Sequence, residues 1–161
     1  MPPVREALVV GFGDTGSFDP SRDLVYVEDP RVWWESDNSL DGDNEDDHLM
    51  HRACVEPFRR VVEMVTARGG RLKVHDAYRA AGIHSPRSLH RAGRALDLTC
   101  DGISLEELAK ICWVSGFDWV YYEATARHGA HIHCSVKAEP PSPDLAALPD
   151  MRSTPVPTRG R

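Results

Sequence analysis

The sequence predicts an α+β fold with a largely antiparallel sheet flanked by helices, on three observations. Two stretches repeat apolar residues at helical spacing, and four short stretches are rich in aliphatic or aromatic residues. Helical and extended stretches come mixed, without a regular βαβ alternation. At 161 residues the chain is about one domain long, enough to bury a real core.

The first forty residues signal weakly. Leu8-Val9-Val10 and Leu24-Val25-Tyr26-Val27 read as short strands. Gly11, Gly13 and Gly16 between them have the G-x-G-x-x-G spacing, but no long helix follows directly, so a dinucleotide site is not supported. Asp41 to Asp47 is an acidic turn. It reads as a solvated loop whose Asp47 caps the following helix, or as a set of oxygen ligands for calcium. Met50, Cys54, Phe58, Val61, Val62 and Val65 predict a helix from about Asp47 to Arg68, kinked or divided at Pro57 and stopped by Gly69-Gly70. Strands are expected at 71–79, 95–100, 119–123 and 131–137. A second helix opens on the capping box Ser104-Leu105-Glu106-Glu107, presents Leu105, Leu108, Ala109 and Cys112 on one face, and ends at Gly116. From Pro140 onward the chain is rich in Pro, Ser and Thr, the composition of a disordered tail.

Composition excludes some functions. Residues 1–50 hold 13 acidic and 3 basic side chains, whereas residues 51–161 hold 12 and 16, with no basic stripe. Nucleic acid is therefore not an expected partner. No apolar run is long enough to span a bilayer, and the N-terminus lacks a secretory h-region. A cytoplasmic location is the expectation, or a periplasmic or secreted one if a leader has been removed. Cys54, Cys100, Cys112 and Cys134 have no C-x-x-C pairing and sit in apolar surroundings, which predicts free thiols rather than disulfides or a four-cysteine zinc site.

Three stretches carry chemistry. His90 precedes a turn at Gly93, and Asp97 follows inside an apolar strand between Leu96 and Leu98. A carboxylate on the inner face of such a strand is costly unless it finds a cation or strong donors. It therefore signals either a metal or an arginine partner, with Arg79 and Arg94 as candidates. His131-Ile132-His133-Cys134-Ser135-Val136 alternates with period two, so both imidazoles share the face opposite Ile132, Cys134 and Val136. Glu123 ends the aromatic stretch Trp119-Val120-Tyr121-Tyr122. Two histidines and one carboxylate make a catalytic-type zinc set that leaves a fourth position for water, and a second carboxylate near that water is a general base.

The run Ser88-x-His90-x-x-Gly93-x-Ala95-x-Asp97 resembles the signature of the superfamily of zinc D-Ala-D-Ala peptidases, lysostaphin-type endopeptidases and hedgehog signalling domains. Within it, Gly116 to Glu123 and His131 to Glu139 look most like hedgehog, as do Asp47-His48-Leu49-Met50 and Cys54. The resemblance covers residues 41–139 as a zinc domain. It leaves residues 1–40 as a segment of undefined structure and 140–161 as the tail. It implies His90, Asp97 and His133 as zinc ligands, Glu123 as general base, and His131 and His84 as histidines beside the metal. Arg79 is absent from hedgehog and similar to an arginine of the D-Ala-D-Ala peptidases, where it would hold a carbonyl or oxyanion; a salt bridge to Asp76 or Asp97 is its structural alternative. Of hedgehog's calcium carboxylates, Asp41, Asp47 and Asp76 match, while other acidic positions are replaced. The segment Ala124 to Ala130 is longer than its hedgehog counterpart. The implied activities are hydrolysis of a small peptide amide bond, as in cell-wall peptides, or zinc- and calcium-dependent binding of a protein partner without turnover.

Overall fold

The computed structural model describes residues 4–13, 17–38, 46–80, 87–125 and 129–138. Asp41, His84, most of the acidic turn and the tail lie outside these residues.

The chain forms helices α1 (Val4–Val10) and α2 (Pro20–Asp23), then strands β1 (Leu24–Tyr26), β2 (Trp33–Trp34) and β3 (Leu49–His51). Helix α3 (Arg52–Ala67) leads into β4 (Arg71–Asp76) and β5 (Ala95–Asp101). Helix α4 (Leu105–Ser115) precedes the hairpin of β6 (Trp119–Thr125) and β7 (Gly129–Ser135). The main sheet has the order β2-β4-β5-β7-β6, antiparallel except for the edge strand β2, which runs parallel to β4. Strands β1 and β3 form a separate antiparallel pair.

The periodicities explain the layers. Along α3 the buried residues Cys54, Phe58, Val61, Val62 and Val65 form one stripe, and Leu108, Ile111 and Cys112 do the same on α4. Both stripes belong to one core with Leu72, Val74, Leu96, Leu98, Ile132 and Cys134 from the sheet. Each fully buried aliphatic or aromatic side chain there contributes about 1.5–3 kcal/mol, so this face holds the fold together. The alternate residues Asp97, His131 and His133 necessarily project from the other face. All four cysteines are free thiols, as expected, with Cys100 only partly buried.

Three local expectations are corrected. Leu8-Val9-Val10 is the last part of α1, not a strand: Glu6 and Val10 are buried while Leu8 is 82% exposed, a helical rather than an alternating pattern. Helix α3 starts at Arg52 because the residues before it pair with β1, and it is not divided at Pro57. Its cap is the His51 side chain, whose Nδ1 accepts from Ala53 N at 3.0 Å, and not Asp47. Asp47 instead accepts from Ser36 N at 2.9 Å, while its own N–H donates to Ser36 Oγ.

A short 3-10 turn over Leu89–Ala92 carries His90. Ser88 caps it by accepting from His90 N at 3.2 Å, and Gly93 closes it at φ 68°. The Gly93 carbonyl accepts from His51 N at 2.8 Å and the His90 carbonyl from Arg79 N at 2.9 Å, so the turn is fixed against two neighbouring segments. A Cβ on Gly93 would lie 2.7 Å from Leu24 Cδ2 and 2.8 Å from His51 N. Gly93→Ala is therefore expected to destabilise the protein by about 1–3 kcal/mol, read from its denaturant midpoint, through a left-handed backbone angle and a backbone collision. An unchanged midpoint would show that this turn yields freely.

Candidate metal centre

His90, Asp97 and His133 come from the 3-10 turn, β5 and β7, and the sheet register sets Asp97 directly opposite His133. One ligand atom from each of the three lies within 4.8 Å of the others. His90 Nε2 is 3.4 Å from Asp97 Oδ2, and His133 Nδ1 is 3.0 Å from Asp97 Oδ1. Ligand atoms around a tetrahedral zinc stand about 3.4 Å apart, given bonds of about 2.0–2.1 Å. The two rings approach different oxygens of Asp97, so a divalent ion would gather the three side chains from a spread of up to 4.8 Å.

The surroundings select the ligand atoms. His90 Nδ1 donates to the Ala77 carbonyl at 2.8 Å, which leaves Nε2 toward Asp97. His133 Nε2 donates to Glu6 Oε2 at 2.6 Å, which leaves Nδ1 toward Asp97. Outer partners of this kind set the tautomer of a metal-binding imidazole. His131 Nε2 is a buried atom without a hydrogen-bond partner among the described residues, 3.7 Å from both Asp97 Oδ1 and Glu123 Oε1. An imidazole nitrogen placed between two carboxylates in this way could donate to, or accept from, a group bound at the metal.

Without a metal, protons supply the positive charge that Asp97 requires. Burial opposes ionisation of Asp97, but the His90 and His133 rings hold its carboxyl well below the usual carboxylate range. Burial likewise disfavours charge on His133, yet Asp97 and Glu6 on its two nitrogens keep its pKa at about 10. His90 is also raised, again against burial, by Asp97 and Asp76.

The remaining residues divide by position. Glu123 lies directly across the hairpin from His131, and β6 and β7 pair as far as Thr125 and Gly129. Its Oε2 accepts from the Tyr121 hydroxyl. Arg79 is buried between two carboxylates: Nε is 2.7 Å from Asp76 Oδ1 and Nη2 is 2.5 Å from Asp47 Oδ1. Asp76 Oδ2 in turn lies 3.8 Å from His90 Nδ1, so Arg79 reaches the centre through Asp76. Burial pushes the Asp47 carboxyl up to about 6 although Arg79 pulls it down. Sequence reasoning missed Glu6, Tyr121 and Ser135. Glu6 is fully buried and its Oε2 also accepts from Ser135 Oγ at 2.7 Å. A partner 127 positions from His133 leaves no local signal.

Two outcomes follow. In the metal-free protein the raised His133 pKa adds stability that is complete below the ring's ordinary 6.5 and is lost as pH rises toward about 10. A metal must displace the Nδ1 proton, so zinc titrated at pH 7 is expected to release protons, measured as a calorimetric heat that varies with the ionisation enthalpy of the buffer. A buffer-independent heat would contradict this charge assignment. Arg79→Ala leaves Asp47 buried without its cation and should cost about 3–5 kcal/mol at pH 7.5, falling at pH 5 where Asp47 is protonated. Equal losses at both pH values would point to packing instead.

Comparison with known proteins gives the family. The family model for the hedgehog amino-terminal signalling domain matches residues 18–135. The Indian hedgehog protein of Gallus gallus is 40% identical over 98 residues, 58% of this chain and 23% of that protein. The sonic hedgehog protein of Xenopus laevis is 33% identical over 130 residues, 78% of this chain and 28% of the relative. The tiggy-winkle hedgehog protein of Danio rerio is 39% identical over 123 residues, with 73% and 28% covered. The chain thus spans about a quarter of the length of these relatives. The matched region holds the sheet and all three residues of the candidate centre, and the chain belongs to the family of hedgehog amino-terminal signalling domains.

Proposed function

We propose that the chain is a metal-stabilised protein-interaction module, in which zinc on His90, Asp97 and His133 fixes a surface that a protein partner reads. The observation that carries this reading is the family match across the whole sheet, with the two-histidine, one-aspartate cluster inside it. Zinc supplies a double positive charge, which would replace the protons that otherwise neutralise Asp97. His90 would be held through its Nδ1 bond to Ala77 and Asp97 by its place in the sheet.

The pairing of Arg79 and the family both favour binding over turnover. The guanidinium of Arg79 is engaged by Asp76 and Asp47, so its charge is already matched within the fold rather than offered to an oxyanion. The same guanidinium occupies the position between Asp47 and Asp76 that a calcium ion would need, which argues against calcium at these residues. Protein partners are also what hedgehog relatives suggest.

A second reading has its own support. Glu123 stands opposite His131, whose Nε2 lies between Glu123 and Asp97. A zinc peptidase of the D-Ala-D-Ala type would use Glu123 as general base there and His131 to steady the oxyanion, with Arg79 held in reserve behind Asp76. Tyr121 donates its hydroxyl to Glu123 Oε2, which leaves Oε1, the oxygen nearer His131, to accept a proton from water.

The readings separate in a turnover assay. Zinc-loaded protein is incubated with D-Ala-D-Ala and with peptidoglycan-type peptides, with Glu123→Gln as control. Interaction without catalysis predicts no hydrolysis above the control. Hydrolysis that disappears in Glu123→Gln would replace the module by the peptidase.

A further inference from the structure

We infer that Glu6 is a positioning residue of the metal centre, and that it couples docking of the N-terminal segment to metal binding. The inference rests on the reading of His90, Asp97 and His133 as metal ligands. Glu6 is fully buried, it is not a member of the three-residue ligand cluster, and its Oε2 accepts from His133 Nε2 at 2.6 Å and from Ser135 Oγ at 2.7 Å. A carboxylate taken out of water with its other oxygen unpartnered among the described residues is retained only if the remaining interactions are strong. A bond to an imidazole that carries metal charge on its far nitrogen is of that kind, because the metal polarises Nε2–H and the carboxylate raises the basicity of Nδ1.

The segment that delivers Glu6 is held by the same side of the molecule. Arg94, itself buried, donates to the Val10 and Phe12 carbonyls at the C-terminal end of α1 and to the Val136 carbonyl just beyond β7. Gly13 N donates to the Arg87 carbonyl at 2.9 Å, and a Cβ on Gly13 would run into the carbonyl oxygen of Ser88, the residue that caps the His90 turn. Val10 packs with Leu89 and Ala95, next to the ligand His90 and on the ligand strand. Leu8, by contrast, is exposed, so α1 is seated by its carboxylate and its C-terminal carbonyls more than by apolar burial. If docking tightens the metal, the metal tightens docking by the same factor.

The test uses the full chain. Zinc affinity is measured by chelator competition for the native protein and for Glu6→Gln, with circular dichroism showing that both are folded. A weakening of about tenfold to hundredfold in Glu6→Gln is expected. In parallel, long-range proton–nitrogen NMR on the zinc-loaded native protein reads the His133 tautomer, which a purely packing role for Glu6 would not fix. Protonated Nε2 with metal on Nδ1 is expected. Unchanged zinc affinity in folded Glu6→Gln, or metal on Nε2 of His133 in the native protein, overturns the role of Glu6 while leaving the metal site intact. No zinc uptake by the native protein overturns the underlying reading and this inference together.

Discussion

Asp97 sits on an inner strand of a five-stranded sheet, between Leu96 and Leu98, neither of which has any exposure. A negative charge there must be met by positive charge or it destabilises the sheet it belongs to. His90 and His133 meet it from two different elements, and each ring is in turn held by an outer acceptor, the Ala77 carbonyl or the Glu6 carboxylate. The tight turn at Gly93, the β5–β7 register and the seating of α1 all serve that arrangement. The apolar face of the sheet supplies the stability, and the polar face uses it to keep charged groups at ligand spacing.

A second buried charge cluster lies alongside. Asp47 and Asp76 close on Arg79 rather than on a metal ion, and Asp76 connects this group to His90. One covalent cation thus neutralises both carboxylates. The charge balance of this cluster therefore depends on a single side chain. Glu123, across the hairpin from His131, is the residue on which interaction and catalysis differ.

How much was legible follows from range. The His-x-His alternation, the carboxylate flanked by leucines, the Ser104 cap and the α3 stripe are local patterns with periods of 2 or 3.6, and each holds in the structure. The two-residue strand of Trp33 and Trp34 is too short to carry a period, and its parallel pairing with β4 is a long-range event. Asp47 looked like a helix cap because acid-before-helix is a local rule, yet Arg79, 32 positions away, claims it. Glu6 was hidden doubly. Its partner is remote, and its helix inverts the usual pattern, with a carboxylate inside and Leu8 in solvent. Such inversions, unreadable in sequence, are what a metal centre can stabilise.

The account stands on a cation shared by His90, Asp97 and His133. Its most direct test is the metal content of protein purified without chelators or added metal, measured by plasma mass spectrometry beside Asp97→Ala prepared identically. About one transition-metal ion per native chain, and its loss from the variant, is the predicted result. A native protein that carries no such ion and takes none up on addition would contradict the account.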